Sequence, residues 1–279
     1  MKSANVLAFA RLELAEALRS RWLLFTAVLY LSLVGAFAWL GLRESSVLGF
    51  TGLSRVILNL SNAVLVSFPL VVLVGTHAAV VRARTSGFFE CFLTQPTTRG
   101  DWFAGLLLSR AVVMLGPLVV VLAGVGGAAA VLEPEPGLAA VAARCLGVVV
   151  ALVSCFMGVG LFVSARARTP ERAVVWALGA WVVTAALHDV ALVTLMLRVP
   201  ISPRWVFFLS ALNPSEAARI GLLTSVDPEL SVLGPVGFWL ANQLGSTASL
   251  AVAITWPLLL GAVAAWRALA NVKTADAVA

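Results

Sequence analysis

The sequence is poor in charge. Only 11% of its 279 residues are charged, 13 acids against 19 bases, where a water-soluble domain carries about 25%. So few ionic groups do not cover a water-facing surface, and a soluble enzyme is excluded. Lysine is nearly absent: Lys2 and Lys273 stand at the two ends. A phosphate-gripping P-loop needs a Gly-Lys-Ser/Thr turn between strand and helix. Neither lysine sits in one, so that route to ATP hydrolysis is closed. Histidine is limited to His77 and His188, and Cys91, Cys145 and Cys155 lack metal-ligand spacing. No metal site, disulfide framework or catalytic residue is expected. The net charge of +6 does not imply a nucleic-acid partner, because bases in so apolar a chain set its orientation in a bilayer.

Apolar residues are abundant, at 61%. Residues 22–42, 56–81, 111–132, 145–165, 173–187 and 230–266 carry no Asp, Glu, Lys or Arg. A bilayer core about 30 Å thick takes about 20 apolar residues at 1.5 Å each. Six spans fit, roughly 22–41, 56–81, 111–132, 145–165, 173–197 and 247–267. They leave no room for a large soluble domain, so 1–279 reads as one transmembrane unit. The first apolar run begins only at Trp22, which is late for a cleaved signal peptide, and none is expected.

Six spans place both termini on one side. The segments on that side hold thirteen of the 19 basic residues and the other side six, which predicts cytoplasmic termini. Three segments flank the spans. Residues 1–21 read as a helix lying on the membrane, with Leu7, Leu14 and Leu18 on one face and Glu13, Glu16 and Arg19 favouring the other. Residues 82–110 form a cytoplasmic loop in which Ser86 can cap a helix 87–95 carrying Phe88, Phe89, Phe92 and Leu93, ended by Pro96. Such an aromatic cluster lies on the membrane or docks into a partner. Residues 199–246 face outside. Asn213 can cap a helix with Pro214 in its first turn, and Glu216 can reach back to complete a capping box. Short helices dipping into the outer leaflet are expected there.

Polar groups within the spans are few. His188 and Asp189 sit in span five, where an ionisable group is costly unless it faces protein or water. They line a path or make an interhelical contact. Asn59, Ser61 and Asn62 in span two can bond between helices, and Pro69, Pro117 and Pro257 are expected to kink theirs.

Specific residues resemble permeases of the ABC-2 type, and within them the permeases of nitrous-oxide-reductase maturation transporters. They are Arg19-Ser-Arg-Trp-Leu-Leu, Ala38-Trp-Leu-Gly, Leu48-Gly-Phe-Thr and Pro69-Leu70. They continue with Gly87, Leu93-Thr-Gln-Pro, Arg99-Gly, Asp189 and Leu212-Asn-Pro-Ser-Glu-Ala-Ala-Arg219. The stretch before Gly87, Arg82-Ala-Arg-Thr-Ser, departs from the acidic residues usual in the family.

The resemblance implies an all-α membrane protein of six transmembrane helices, with an N-terminal interfacial helix, a cytoplasmic coupling helix and short periplasmic helices. It implies a homodimer in the bacterial inner membrane, joined to two ABC ATPase subunits that use ATP and Mg while this chain binds no cofactor. Gly87, Phe88, Phe89, Glu90, Phe92, Leu93, Pro96 and Arg99 are then the ATPase-coupling residues. It further implies a periplasmic β-helical partner and a role in copper-site assembly. A generic ABC-2 exporter of a lipid, peptide or drug-like compound is the alternative.

Overall fold

A computed structural model describes residues 3–19, 21, 24–33, 35–36, 65–88, 97–132, 138–226, 237 and 239–274. All described elements are helices. They are α1 (Ser3–Arg19), α2 (Leu24–Leu33), α3 (Leu65–Thr85), α4 (Arg99–Leu132) and α5 (Leu138–Arg166). Then come α6 (Pro170–Arg198), α7 (Pro203–Leu212), α8 (Pro214–Val226) and α9 (Gly245–Thr274). Within these residues five helices are long and apolar enough to cross a membrane: α3, α4, α5, α6 and α9. The protein is an all-α membrane protein. Of the expected first span, α2 covers 24–33, and 22–23, 34 and 37–41 lie outside the described residues, as do 56–64 of the second.

The helices overrun the apolar runs that predicted them. The third span begins at Arg99 rather than 111, so 99–110 of the expected loop are helical. A search for charge-free sequence stops at Arg110, yet that side chain is mostly buried beside Glu13. Thr98 and Asp101 explain the early start. Asp101 N–H donates to Thr98 Oγ1 at 3.1 Å and Thr98 N–H to Asp101 Oδ2 at 3.3 Å, a reciprocal capping box. Pro69, Pro117 and Pro257 lie inside continuous helix.

Helix α5 is the hub. It packs on α9, α4, α8 and α3, and buries Val148, Leu152, Phe156 and Leu161. At Gly158 and Gly261 the backbones of α5 and α9 nearly touch: a Cβ on either would collide with the other helix's main chain. Tyr30 joins α2 to α3 through Phe68, ring centroids 4.7 Å apart. The outer faces of α2, α6 and α9 expose Leu24, Phe25, Val175, Trp176, Leu259 and Val263. So many large apolar side chains left exposed suit lipid rather than water.

Three irregularities have no signature in the apolar pattern. Helix α3 breaks at a turn over His77 and Ala78, after which Ser164 Oγ accepts from Val80 N–H at 2.9 Å and Val81 N–H at 3.1 Å. Helix α6 carries a π-helical turn at Val183–Leu187, and another, Leu240–Leu244, precedes α9.

Candidate functional site

The first turns of α1, the start of α4 and the last turn of α9 gather at one end of the bundle. Arg99 marks the meeting point, since Nη1 donates to the carbonyls of Val272 and Lys273 at 3.2 and 3.3 Å and so caps the last turn of α9. Arg84 caps α5 in the same way, donating to the Ala167 carbonyl. Beyond them α3 ends in a turn with Gly87 at φ 73°, a left-handed conformation that costs glycine little. Ser86 Oγ donates back to the Ala83 carbonyl. Phe88 meets the Trp102 ring at 6.1 Å between centroids. Phe89, Glu90, Cys91, Phe92, Leu93 and Pro96 lie outside the described residues.

Helix α1 reads differently in the structure. Its buried stripe is Ala10, Glu13 and Ala17, laid against α4, while Leu7, Leu12 and Leu18 face outward. Glu13 is therefore on the protein side and not on a water-facing one. The reason is local: Gly105 lets α1 approach so closely that a Cβ there would collide with Phe9 and the α1 backbone. At that distance Glu13 Oε1 accepts from Trp102 Nε1 at 3.1 Å, and Oε2 stands 3.7 Å from Arg110. Burial pushes the Glu13 carboxyl above the usual range, opposed by Arg110 and the Trp102 bond.

A cavity of about 700 Å³ opens beside this cluster, between α1 and α3. Its walls include Glu13, Glu16, His77, Arg82 and Arg110, with Leu12, Val74 and Phe88 as apolar parts. Glu13, Trp102 and Arg110 escaped the sequence reading as a group because 89 residues separate Glu13 from Trp102. A hint was present: Arg110 adjoins a charge-free run, where an unpaired guanidinium is costly.

The second polar group lies at the opposite end and unites residues read separately. Asn213 Oδ1 accepts from Ser215 N–H at 3.0 Å and caps α8, and Asn213 Nδ2 donates to the Thr184 carbonyl in the π turn at 2.7 Å. Pro214 opens α8. Glu216 does not reach back to Asn213. It turns to Arg219, 2.8 Å away, which stands 3.9 Å from Asp189. An arginine one turn ahead offers Glu216 a stronger partner than a backbone amide. Burial raises the Glu216 carboxyl, opposed by Arg219. His188 Nε2 contacts the Leu209 carbonyl at 3.1 Å, and Nδ1 lies 3.7 Å from Asp189. A cavity of about 420 Å³ borders Thr184, His188, Leu209 and Asn213. Helix α8 itself is buried against α5 and α9 instead of standing out in the leaflet. Asn59 and Asn62 lie outside the described residues.

Both ends tie helices together with buried polar bonds, an arrangement suited to moving helices as units. Residues 7–269 match the family model described as ABC-2 family transporter protein. The chain is 31% identical over 263 residues to a protein of Pseudomonas aeruginosa named "Probable ABC transporter permease protein NosY", covering 88% of this chain and 94% of that one. It is 27% identical over 265 residues to the protein of the same name from Stutzerimonas stutzeri, covering 90% and 91%.

Proposed function

The chain belongs to the ABC-2 family of transporter proteins, and from that premise we propose that it is the permease subunit of an ATP-driven transporter serving copper-site maturation of nitrous oxide reductase. Membership makes it a multi-pass transmembrane subunit and implies an ABC ATPase partner. The finer reading rests on its likeness to the two NosY proteins over about nine-tenths of its length.

In this reading two copies of the chain sit in the bacterial inner membrane with their termini in the cytoplasm. Two ATPase subunits bind ATP and Mg, and this chain binds neither. The coupling segment 87–99 docks on the ATPase, and a periplasmic β-helical protein engages the far end.

The observation that carries the coupling role is the clamp between α1 and α4. The coupling segment leaves α3 at Gly87 and enters α4 at Arg99. Phe88 rests on Trp102, and Trp102 holds Glu13 of α1. A push on the segment therefore reaches α3, α4 and α1 together. Work follows only if the ATPase binds the two conformations with different free energy. Desolvated aromatics are the residues that make such a joint stiff.

Purification from the native membrane tests the reading. An ATPase and a periplasmic β-helical protein are expected to co-purify. Phe89→Asp or Phe92→Asp is expected to leave membrane insertion intact and to detach or uncouple the ATPase. Wild-type recovery of the ATPase with normal coupled activity in both variants refutes the docking role.

A further inference from the structure

We propose that the cavity between α1 and α3 is a headgroup site for a phospholipid whose head carries both a phosphate and a primary amine. The proposal stands independently of what the transporter moves.

The depth is right. Helix α1 presents Leu7, Leu12 and Leu18 outward, as a helix at the level of lipid headgroups does. The cavity opens under it, and the exposed Val74 and Leu12 at its wall continue as apolar surface along which acyl chains can lie.

The chemistry is mixed in sign. Arg82 and Arg110 supply two positive groups, Glu13 and Glu16 two negative ones. Arg110 is held near Glu13 at 3.7 Å, an ion-pair distance without a hydrogen bond, so Glu13 does not use up the guanidinium. The Arg110 side chain lines the cavity and stays 15% accessible. A phosphate oxygen that meets the accessible part of the guanidinium makes a charge-assisted hydrogen bond. Glu16 and Arg82 are exposed at the rim. A phosphate against Arg82 and Arg110 leaves Glu16 to receive an ammonium group, which donates hydrogen bonds that a trimethylated amine cannot. A glycerol head leaves the carboxylates uncompensated.

Native mass spectrometry of the purified complex, supplied with phosphatidylethanolamine, phosphatidylglycerol and phosphatidylcholine, tests this. The wild type is expected to retain phosphatidylethanolamine in preference to the other two. Retention is expected to fall about tenfold in Arg110→Gln. It falls about threefold in Glu16→Gln and in Arg82→Gln. The last two are rim residues, so their variants report even if Arg110→Gln does not fold. Equal retention of the three lipids by the wild type, or unchanged retention in both rim variants, overturns the proposal. Soluble O-phosphoethanolamine is expected not to displace the lipid. Displacement at matched concentration assigns the cavity to a free phosphate ester and overturns the lipid reading.

Discussion

Trp102 Nε1 donates to Glu13 Oε1 at 3.1 Å, joining the first turn of α4 to the middle of α1. Both side chains are buried. A carboxylate removed from water is tolerated only where donors and opposite charge meet it. Here the indole supplies the donor and Arg110 the charge. The bond therefore makes α1 part of the same body as α4, not a float resting on the bilayer.

Removing Arg110 should expose the cost of that arrangement. Arg110→Met leaves Glu13 buried with the indole alone, and a loss of about 3 kcal/mol is expected. Glu13→Gln keeps an acceptor for Trp102 and removes the charge. The double variant Glu13→Gln/Arg110→Met is expected to recover most of the loss. Thermal unfolding of the detergent-solubilised complex reads both. Equal damage in the single and double variants would show that Arg110 acts by packing alone.

The same carboxyl predicts a pH dependence. Its folded pKa is raised above the ordinary 4.5 by burial. Between those two values the folded state holds a proton that the unfolded chain has released. The stability it contributes is thus full below 4.5 and falls as pH rises towards the folded value. Hydrogen exchange in α1, corrected for the intrinsic rate, is expected to show more protection at pH 5 than at neutral pH in the wild type. Glu13→Gln is expected to flatten that difference.

How much of this was legible in the sequence varies by residue. The helix Ser3–Arg19 was placed by its apolar spacing, and five of the six expected spans by their charge-free runs. The direction α1 faces was not. Hydrophobic spacing assumes that leucine turns inward and glutamate outward, and in a bilayer the outside is also apolar. Only Gly105 and Trp102, far along the chain, invert the choice. His188 and Asp189 were visible as polar residues in a span, Asn213 and Glu216 as a helix cap, and Arg219 in the family resemblance. Their meeting was not, nor was the bond from Asn213 to Thr184, because a π turn shifts the register by one residue and apolar sequence carries no mark of it.

Close approach at Gly158 and Gly261 gives a third prediction. A Cβ on Gly158 meets the Gly261 main chain, and one on Gly261 meets the Cys155 backbone. Neither neighbour is a flexible side-chain tip, so the helices must part. Gly158→Ala and Gly261→Ala are each expected to cost about 2 kcal/mol, read as a lowered unfolding midpoint. The effects should not add, since the first substitution already opens the seam. An additive pair would mean that the helices relax separately.

Ser164 offers a fourth. Its hydroxyl accepts from Val80 and Val81 N–H just past the break in α3. Ser164→Ala leaves two buried donors short of a partner, at a cost of about 2 kcal/mol. The break sits between the body of α3 and the segment that leaves at Gly87. ATPase coupling is therefore expected to suffer beyond what the stability loss explains. Ser164→Thr, which keeps the acceptor, should restore coupling. Equal coupling in Ser164→Ala and wild type would reduce the serine to packing.

Asn213 separates two roles that one side chain combines. Its Oδ1 caps α8 through Ser215 N–H, and its Nδ2 reaches the Thr184 carbonyl in the π turn of α6. Aspartate is as good a cap as asparagine. Asn213→Asp therefore preserves the cap while setting a carboxylate against a carbonyl that needs a donor. If capping were the main role, the substitution would be silent. The 2.7 Å bond to Thr184 argues for the other outcome. Asn213→Asp is expected to cost about 2 kcal/mol, as much as Asn213→Ala, and to raise hydrogen exchange across Val183–Leu187. Asp189→Leu is the control. Its carboxylate is 38% exposed and 3.9 Å from Arg219, so its loss is expected to cost under about 1 kcal/mol. A silent Asn213→Asp would mean that the π turn holds its shape without help from α8.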